Sequence, residues 1–271
     1  MISKKSLFGV VVFSLMGVSA SAETLVSQQK SPENKFAGRV SIYAETNFED
    51  ATTDDHAALS QVEAELSYAW ASDWRVYSEI DWTKALSGSE KSYLGNWELG
   101  VNHSGKIAPK WPLSLTGYVL LPTDERFVKN YSFYGAVGIN GVAAHSLANK
   151  FWNFTWESDL RKSFFNYRQN LKGFANVDWR MVNRLVVAAK VTDWFQVVAY
   201  GGVVSDLPTK GQMRHTAIHS EYLQFSSEEG LSLAVGHSAD SSLTDSYASD
   251  GKFTFADSVD SRLFVKASMK F

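Results

Sequence analysis

From Val259 to Phe271 the chain alternates without a break. Val259, Ser261, Leu263, Val265, Ala267, Met269 and Phe271 fall on one face, and Asp260, Arg262, Phe264, Lys266, Ser268 and Lys270 on the other. Strict period two marks a strand with one apolar and one polar face. The charged face is too polar for a dry sheet-on-sheet core. An apolar face running to the final residue is a liability in water. Both features make sense if the apolar face meets lipid and the polar face a wet lumen.

The same period recurs upstream and predicts about twelve strands, near 36–48, 59–71, 74–83, 93–103, 113–121, 131–143, 152–161, 175–191, 194–204, 216–224, 231–237 and 259–271. Ten residues or so cross a bilayer at a tilt, so counts of ten or fourteen also fit. Some segments alternate clearly. In the first, Val40, Ile42, Ala44 and Phe48 face outward and Arg39, Tyr43 and Glu45 inward. In the seventh, Trp152, Phe154, Trp156 and Leu160 alternate with Asn153, Thr155, Glu157, Asp159 and Arg161. The fifth and sixth are rich in Gly and apolar residues, which leaves their register open. In the tenth, Ile218 and Tyr222 are expected outward, because the opposite register puts Glu221 on lipid, where a charge is costly.

The connections also alternate. Those after even-numbered strands are short, with tight turns at Ser72-Asp73 and Thr192-Asp193. Those after odd-numbered strands are longer and more polar, the longest being 162–172 and 239–254. Bacterial barrels pair short periplasmic turns with long extracellular loops, so an even strand count puts both termini in the periplasm. Aromatics sort accordingly. Trp70, Trp74, Trp111, Trp152, Trp194 and Phe271 fall at the periplasmic rim, and Phe48, Trp82 and Tyr93 at the outer rim, the two levels where amphipathic rings are favoured.

The N-terminus reads as an export signal. Lys4 and Lys5 precede the apolar run Leu7 to Val18, and Ala20-Ser21-Ala22 supplies a small-x-small cleavage pattern, with cutting expected after Ala22. The run is too short to span a bilayer as a helix. A polar lead-in, 23–35, follows, and the barrel is expected over 36–271. Terminal Phe271, with apolar residues at every second position before it, resembles the C-terminal signature of Gram-negative outer-membrane β-barrel proteins. In size and strand number the chain is similar to small outer-membrane channels. The resemblance implies an all-β, antiparallel up-and-down transmembrane barrel. It also implies contact with outer-membrane lipid and recognition of the C-terminal strand by the barrel-assembly machinery.

Bulk properties narrow the function. Removing Lys4 and Lys5 with the signal lowers 26 basic residues to 24 against 29 acidic ones, a net charge of −5. That balance argues against a nucleic-acid partner. There is no Cys, so no disulfide holds the fold. The candidate chemistry lies in the inward charges. Glu63, Glu65, Glu79, Asp81 and Glu98 make an acidic wall; Arg180 and Arg184 lie across a twelve-strand ring from it, with Arg39, Arg262 and Lys266 on the adjoining strands. Facing walls of opposite charge would orient polar solutes and select ions. Salt bridges among the same groups would instead plug the barrel, and Glu157 and Asp159 beside Arg161 fit that alternative. Twelve strands lie between filled and open barrels, so width does not decide.

No catalytic motif or cofactor fingerprint stands out. His215 and His219 are spaced i,i+4, which on a strand separates them by about 13 Å, too far to share a metal. The stretch 120–126 reads as strand-end turn chemistry, and Phe164, Phe165, Tyr167 and Arg168 as an aromatic rim entering a solvated loop. The expected function is a porin-like channel for ions or small polar solutes, with no cofactor and no metal. A closed barrel recognising partners through its loops is the alternative, and an outer-membrane enzyme the third. Oligomeric state is left open.

Overall fold

Period-two segments of this length can satisfy their backbone only by pairing, and in lipid every edge must be paired. The computed structural model describes residues 35–49, 56–87, 92–109, 111–147, 151–242 and 260–271. The expected signal peptide, most of the lead-in, Asp54-Asp55 and most of 239–254 lie outside them. The strands are β1 (Phe36–Asn47), β2 (Ala58–Ala69), β3 (Trp74–Ala85), β4 (Ser92–Leu94), β5 (Trp97–Ala108), β6 (Trp111–Leu121), β7 (Phe133–Leu147), β8 (Trp152–Phe165), β9 (Val177–Lys190), β10 (Phe195–Pro208), β11 (Arg214–Ser226), β12 (Leu231–Ser242) and β13 (Ser261–Lys270), with one helix, α1 (Glu125–Tyr131). Each long strand pairs antiparallel with its chain neighbours. β1 pairs with both β2 and β13, and β2 with β3, so twelve strands close into a barrel, with the three-residue β4 as an extra edge on β3. No helix among the described residues is long and apolar enough to cross a membrane.

The two chain ends make the seam. Gly38 N–H donates to Phe271 C=O at 2.8 Å, and Phe271 N–H to Gly38 C=O at 3.0 Å. The Phe271 ring lies where a Cβ on residue 38 would be, 2.5 Å from its atoms. A glycine there lets the terminal aromatic lie flat on the first strand.

The joined ends of β2 and β3, β5 and β6, β7 and β8, β9 and β10, and β11 and β12 share one end of the barrel with both chain ends of the described sheet. This turn end carries the exposed rings of Trp70, Trp74, Trp111, Trp152, Trp194 and Phe271. Trp70 stacks on Trp74 at 5.8 Å, and Trp194 on Phe225 at 6.0 Å. The opposite strand ends make the loop end, where Phe48 and Trp82 are exposed.

Burial is inverted relative to a water-soluble protein. Arg39, Glu63, Glu157, Arg180 and Arg184 are buried, while Ile42, Leu66, Ile139, Trp156 and Leu263 are exposed. A lipid-facing wall around a polar interior has that pattern.

Three expectations change. The strand foreseen at 93–103 splits: Tyr93 sits on β4, and β5 starts at Trp97. Tyr93 does not join a lipid-facing rim; the Arg126 guanidinium covers its ring at 3.1 Å. The strand foreseen from Tyr131 starts at Phe133, because α1 precedes it. Asp124 caps α1, accepting from Arg126 N–H at 2.8 Å and from the Arg126 guanidinium at 2.6 Å. Ser132 ends it in the left-handed conformation. The stretch 120–126 therefore holds the end of β6 and a short connection, as expected, and in addition the start of α1.

The third change is the register of β11. Ile218 and Tyr222 face inward. Ile218 packs with Val182 and Val204 against Tyr200, and Tyr222 meets the Phe264 ring edge-on at 5.9 Å. Leu223 faces out, paired between exposed Val197 and Val235, and Glu221 shares its face. The cost of an outward carboxylate is offset locally: His219 Nδ1 lies 3.1 Å from Glu221 Oε1, and His237 Nδ1 3.3 Å from Oε2.

Candidate functional site in the barrel lumen

The strand row that holds most of the expected acidic residues is not purely acidic. Across β1, β2, β3 and β5 one row runs Arg39, Glu65, Glu79, Glu98. Like charges directly opposed across strands repel. Arg39 relieves much of this, its Nη2 lying 2.6 Å from Glu63, 3.0 Å from Glu65 and 3.3 Å from Glu79. Glu98 accepts from Tyr77 O–H at 2.5 Å. Asp81 accepts from Thr83 O–H at 3.4 Å.

The arginines on β9 do not point an open basic wall at those carboxylates. Each is held by a neighbouring strand. Arg184 pairs with Glu157 of β8, both side chains 1% exposed. Arg180 grips Asp206 of β10 with two bonds of 2.6 and 2.7 Å. Near the loop end Lys162, its ammonium over the exposed Trp179 ring, pairs with Asp178. Tyr118 of β6 crosses β7 to donate to Asp159 of β8 at 2.8 Å. It can do so because residue 138 is Gly; a Cβ there would sit 2.2 Å from the tyrosine ring. Strand alternation identified the inward side of each segment but could not show which strand would supply each partner.

On the other side of the lumen, β1, β2 and β10 to β13 leave a partly open cavity of about 110 Å³. Its floor is aromatic. Tyr43 stacks on Phe264 at 5.7 Å, with Tyr222 edge-on to the same ring. Its walls carry Glu45, Glu63, Asp240, Arg262 and Lys266. Arg262 pairs with Glu45, which also accepts from Tyr43 O–H at 2.5 Å. Among the described residues, no carboxylate forms an ion pair with Lys266. The structure thus brings Arg262, Lys266 and Glu63 into this cavity and sets Arg180 and Arg184 into ion pairs away from it. Tyr200, Tyr222 and Phe264 were not singled out as site residues in the sequence; their shared inward parity was the available signal, obscured at β11 by the wrong register.

The loop end is knitted together above the lumen. Asn176 is buried there and donates to Tyr131 C=O at 3.0 Å and Tyr167 C=O at 2.9 Å. Asn176 therefore anchors the 166–176 loop. In this exposed region, outside the wall, the Lys129 ammonium 2.6 Å away holds the Glu125 carboxyl below its ordinary pKa.

No family model matches the chain, and no curated protein does. Solved structures do. An outer-membrane channel from Pseudomonas putida F1 superposes with a TM-score of 0.59 at 11% identity, covering 90% of this chain and 98% of that one. The NanC porin superposes with a TM-score of 0.53 at 10% identity, covering 86% of this chain and 98% of that one. At such identity the likeness is one of fold. The chain has the architecture of outer-membrane β-barrels, and these two neighbours are a channel and a porin.

Proposed function

We propose that this barrel sits in the outer membrane, with turn end and termini periplasmic, as a non-enzymatic channel for passive diffusion of ions or small polar solutes. One observation carries the reading. The lumen keeps a partly open cavity of about 110 Å³ lined by charges of both signs over an aromatic floor, while its other side is consumed by ion pairs. Solutes would pass along β10 to β13, and Arg262, Lys266, Glu45 and Glu63 would sort them by charge. The residues Glu65, Glu79, Asp81, Glu98, Arg39, Arg180 and Arg184 would set the shape of the lumen more than its selectivity. The test is Lys266→Gln under a salt gradient. Losing one positive charge at the cavity moves the reversal potential toward cation preference, whereas Arg180→Gln, behind its Asp206 partner, moves it less. An unchanged potential in Lys266→Gln counts against the pathway.

A second reading is a closed barrel acting through its loops. The buried Glu157–Arg184 pair favours it, as do Tyr167 and Leu171, 69% and 77% exposed on the 166–176 loop. Under this reading Tyr167→Ser with Leu171→Ser abolishes surface binding, and the wild type never conducts.

A further inference from the structure

The outer wall of the barrel carries a cluster of titratable side chains where β11 and β12 meet. There Glu221 of β11 pairs in register with His237 of β12, and His219 lies two residues along the same face. One ligand atom from each, two imidazole nitrogens and a carboxylate oxygen, can be chosen so that all lie within 4.8 Å of one another. The closest separations, 3.1 and 3.3 Å, both run to Glu221. A tetrahedral metal with bonds of about 2.0–2.1 Å holds its ligands roughly 3.3 Å apart. Two of the separations have that spacing, running to the two different oxygens of Glu221, and all three ligand atoms fall within 4.8 Å, so small side-chain rotations about one metal would bring them together.

We infer that His219, Glu221 and His237 form a divalent metal site on the outer wall, of the type that prefers zinc. Two imidazoles and a carboxylate suit zinc better than calcium or magnesium, which favour all-oxygen shells. Three protein ligands leave a fourth position, and it has a way in. The His219 side chain is 8% exposed and forms the inner edge, whereas Glu221 is 41% exposed and forms the mouth. The Phe48 ring stacks on His237 at 6.0 Å and places the site just below the loop-end rim. His219 and His237 come from different strands, so a bound metal would clamp β11 to β12. The alternative is a plain hydrogen-bonded triad that only hides the lipid-face carboxylate, and it predicts no metal affinity.

The experiment uses tag-free, refolded full-length barrel in detergent, titrated with zinc chloride by calorimetry. One saturable site per barrel is expected, lost in His237→Ala and in Glu221→Gln and kept in His103→Ala. Folding of each variant is checked by the mobility difference between heated and unheated samples. A measurement on the wild type alone guards against variants that misfold: zinc protects His219 and His237, but not His103, from diethylpyrocarbonate. Absence of saturable binding, retention of binding by both variants, or equal modification of all three histidines with zinc present would each overturn the site.

Discussion

Glu157–Arg184 and Glu125–Lys129 are both carboxylate–cation pairs, and the structure assigns them opposite weights. The first is sealed in the lumen, each side chain 1% exposed; the second stands in solvent on α1. Removing one member of a buried pair strands the other charge and costs about 3–5 kcal/mol, while exposed pairs contribute little. Glu157→Gln is therefore expected to lower the urea midpoint of the refolded barrel markedly and Lys129→Ala to leave it unchanged; equal shifts would contradict this placement. Tyr118 offers a second test. Its bond to charged Asp159 is of the kind worth about 1.5–3 kcal/mol, and it needs the bare backbone of Gly138. Gly138→Ala should be costly in the wild type and nearly neutral in a Tyr118→Ala background, a coupling a double-mutant cycle reads directly. Additive effects would show that the ring does not cross residue 138. At this scale the sequence was half legible. Parity gave the side of the strand on which Arg39, Glu79 and Arg184 lie. It could not give partners, because Arg39 finds Glu79 across β2 and Tyr118 finds Asp159 across β7.

Strands were the most legible elements, since a wall with lipid on one side and water on the other enforces period two along its whole height. β4 and α1 were illegible for the converse reason: they lie in the long connections, where no face is sorted by solvent. The signal for α1 was Asp124 as a cap after Pro122, and it was outweighed by the turn propensity of the same residues. Asp124→Ala removes both the cap and the Arg126 pair, and is expected to cost about 1–2 kcal/mol. The readout is faster protease cleavage within 122–132, with the barrel itself intact; unchanged cleavage would mean α1 is held by other contacts. β11 failed differently. In the sequence Glu221 reads as a lone charge, whereas in the fold His219 of its own strand and His237 of the next both lie against its carboxylate. Closure is the third element-scale feature. Gly38→Val pushes against the Phe271 ring and should reduce the folded fraction seen on unheated gels; an unchanged fraction would show that the ring is not part of the seam.

For the whole molecule, the inverted distribution of polarity, the pairing of β1 with β13 and the separation of short from long connections all describe a membrane-spanning barrel. The choice between an open and a filled lumen was not legible in the sequence, because it depends on how inward charges pair across strands. The structure divides the lumen, ion-paired along β8 to β10 and hollow beside β11 to β13. The central claim is that the hollow side conducts. The direct measurement is single-channel recording of the refolded, signal-free protein in a planar bilayer under a salt gradient. Discrete conductance steps with a defined reversal potential are the result this account predicts. A folded barrel, shown to be folded by its heat-dependent mobility, that inserts and never conducts would contradict it.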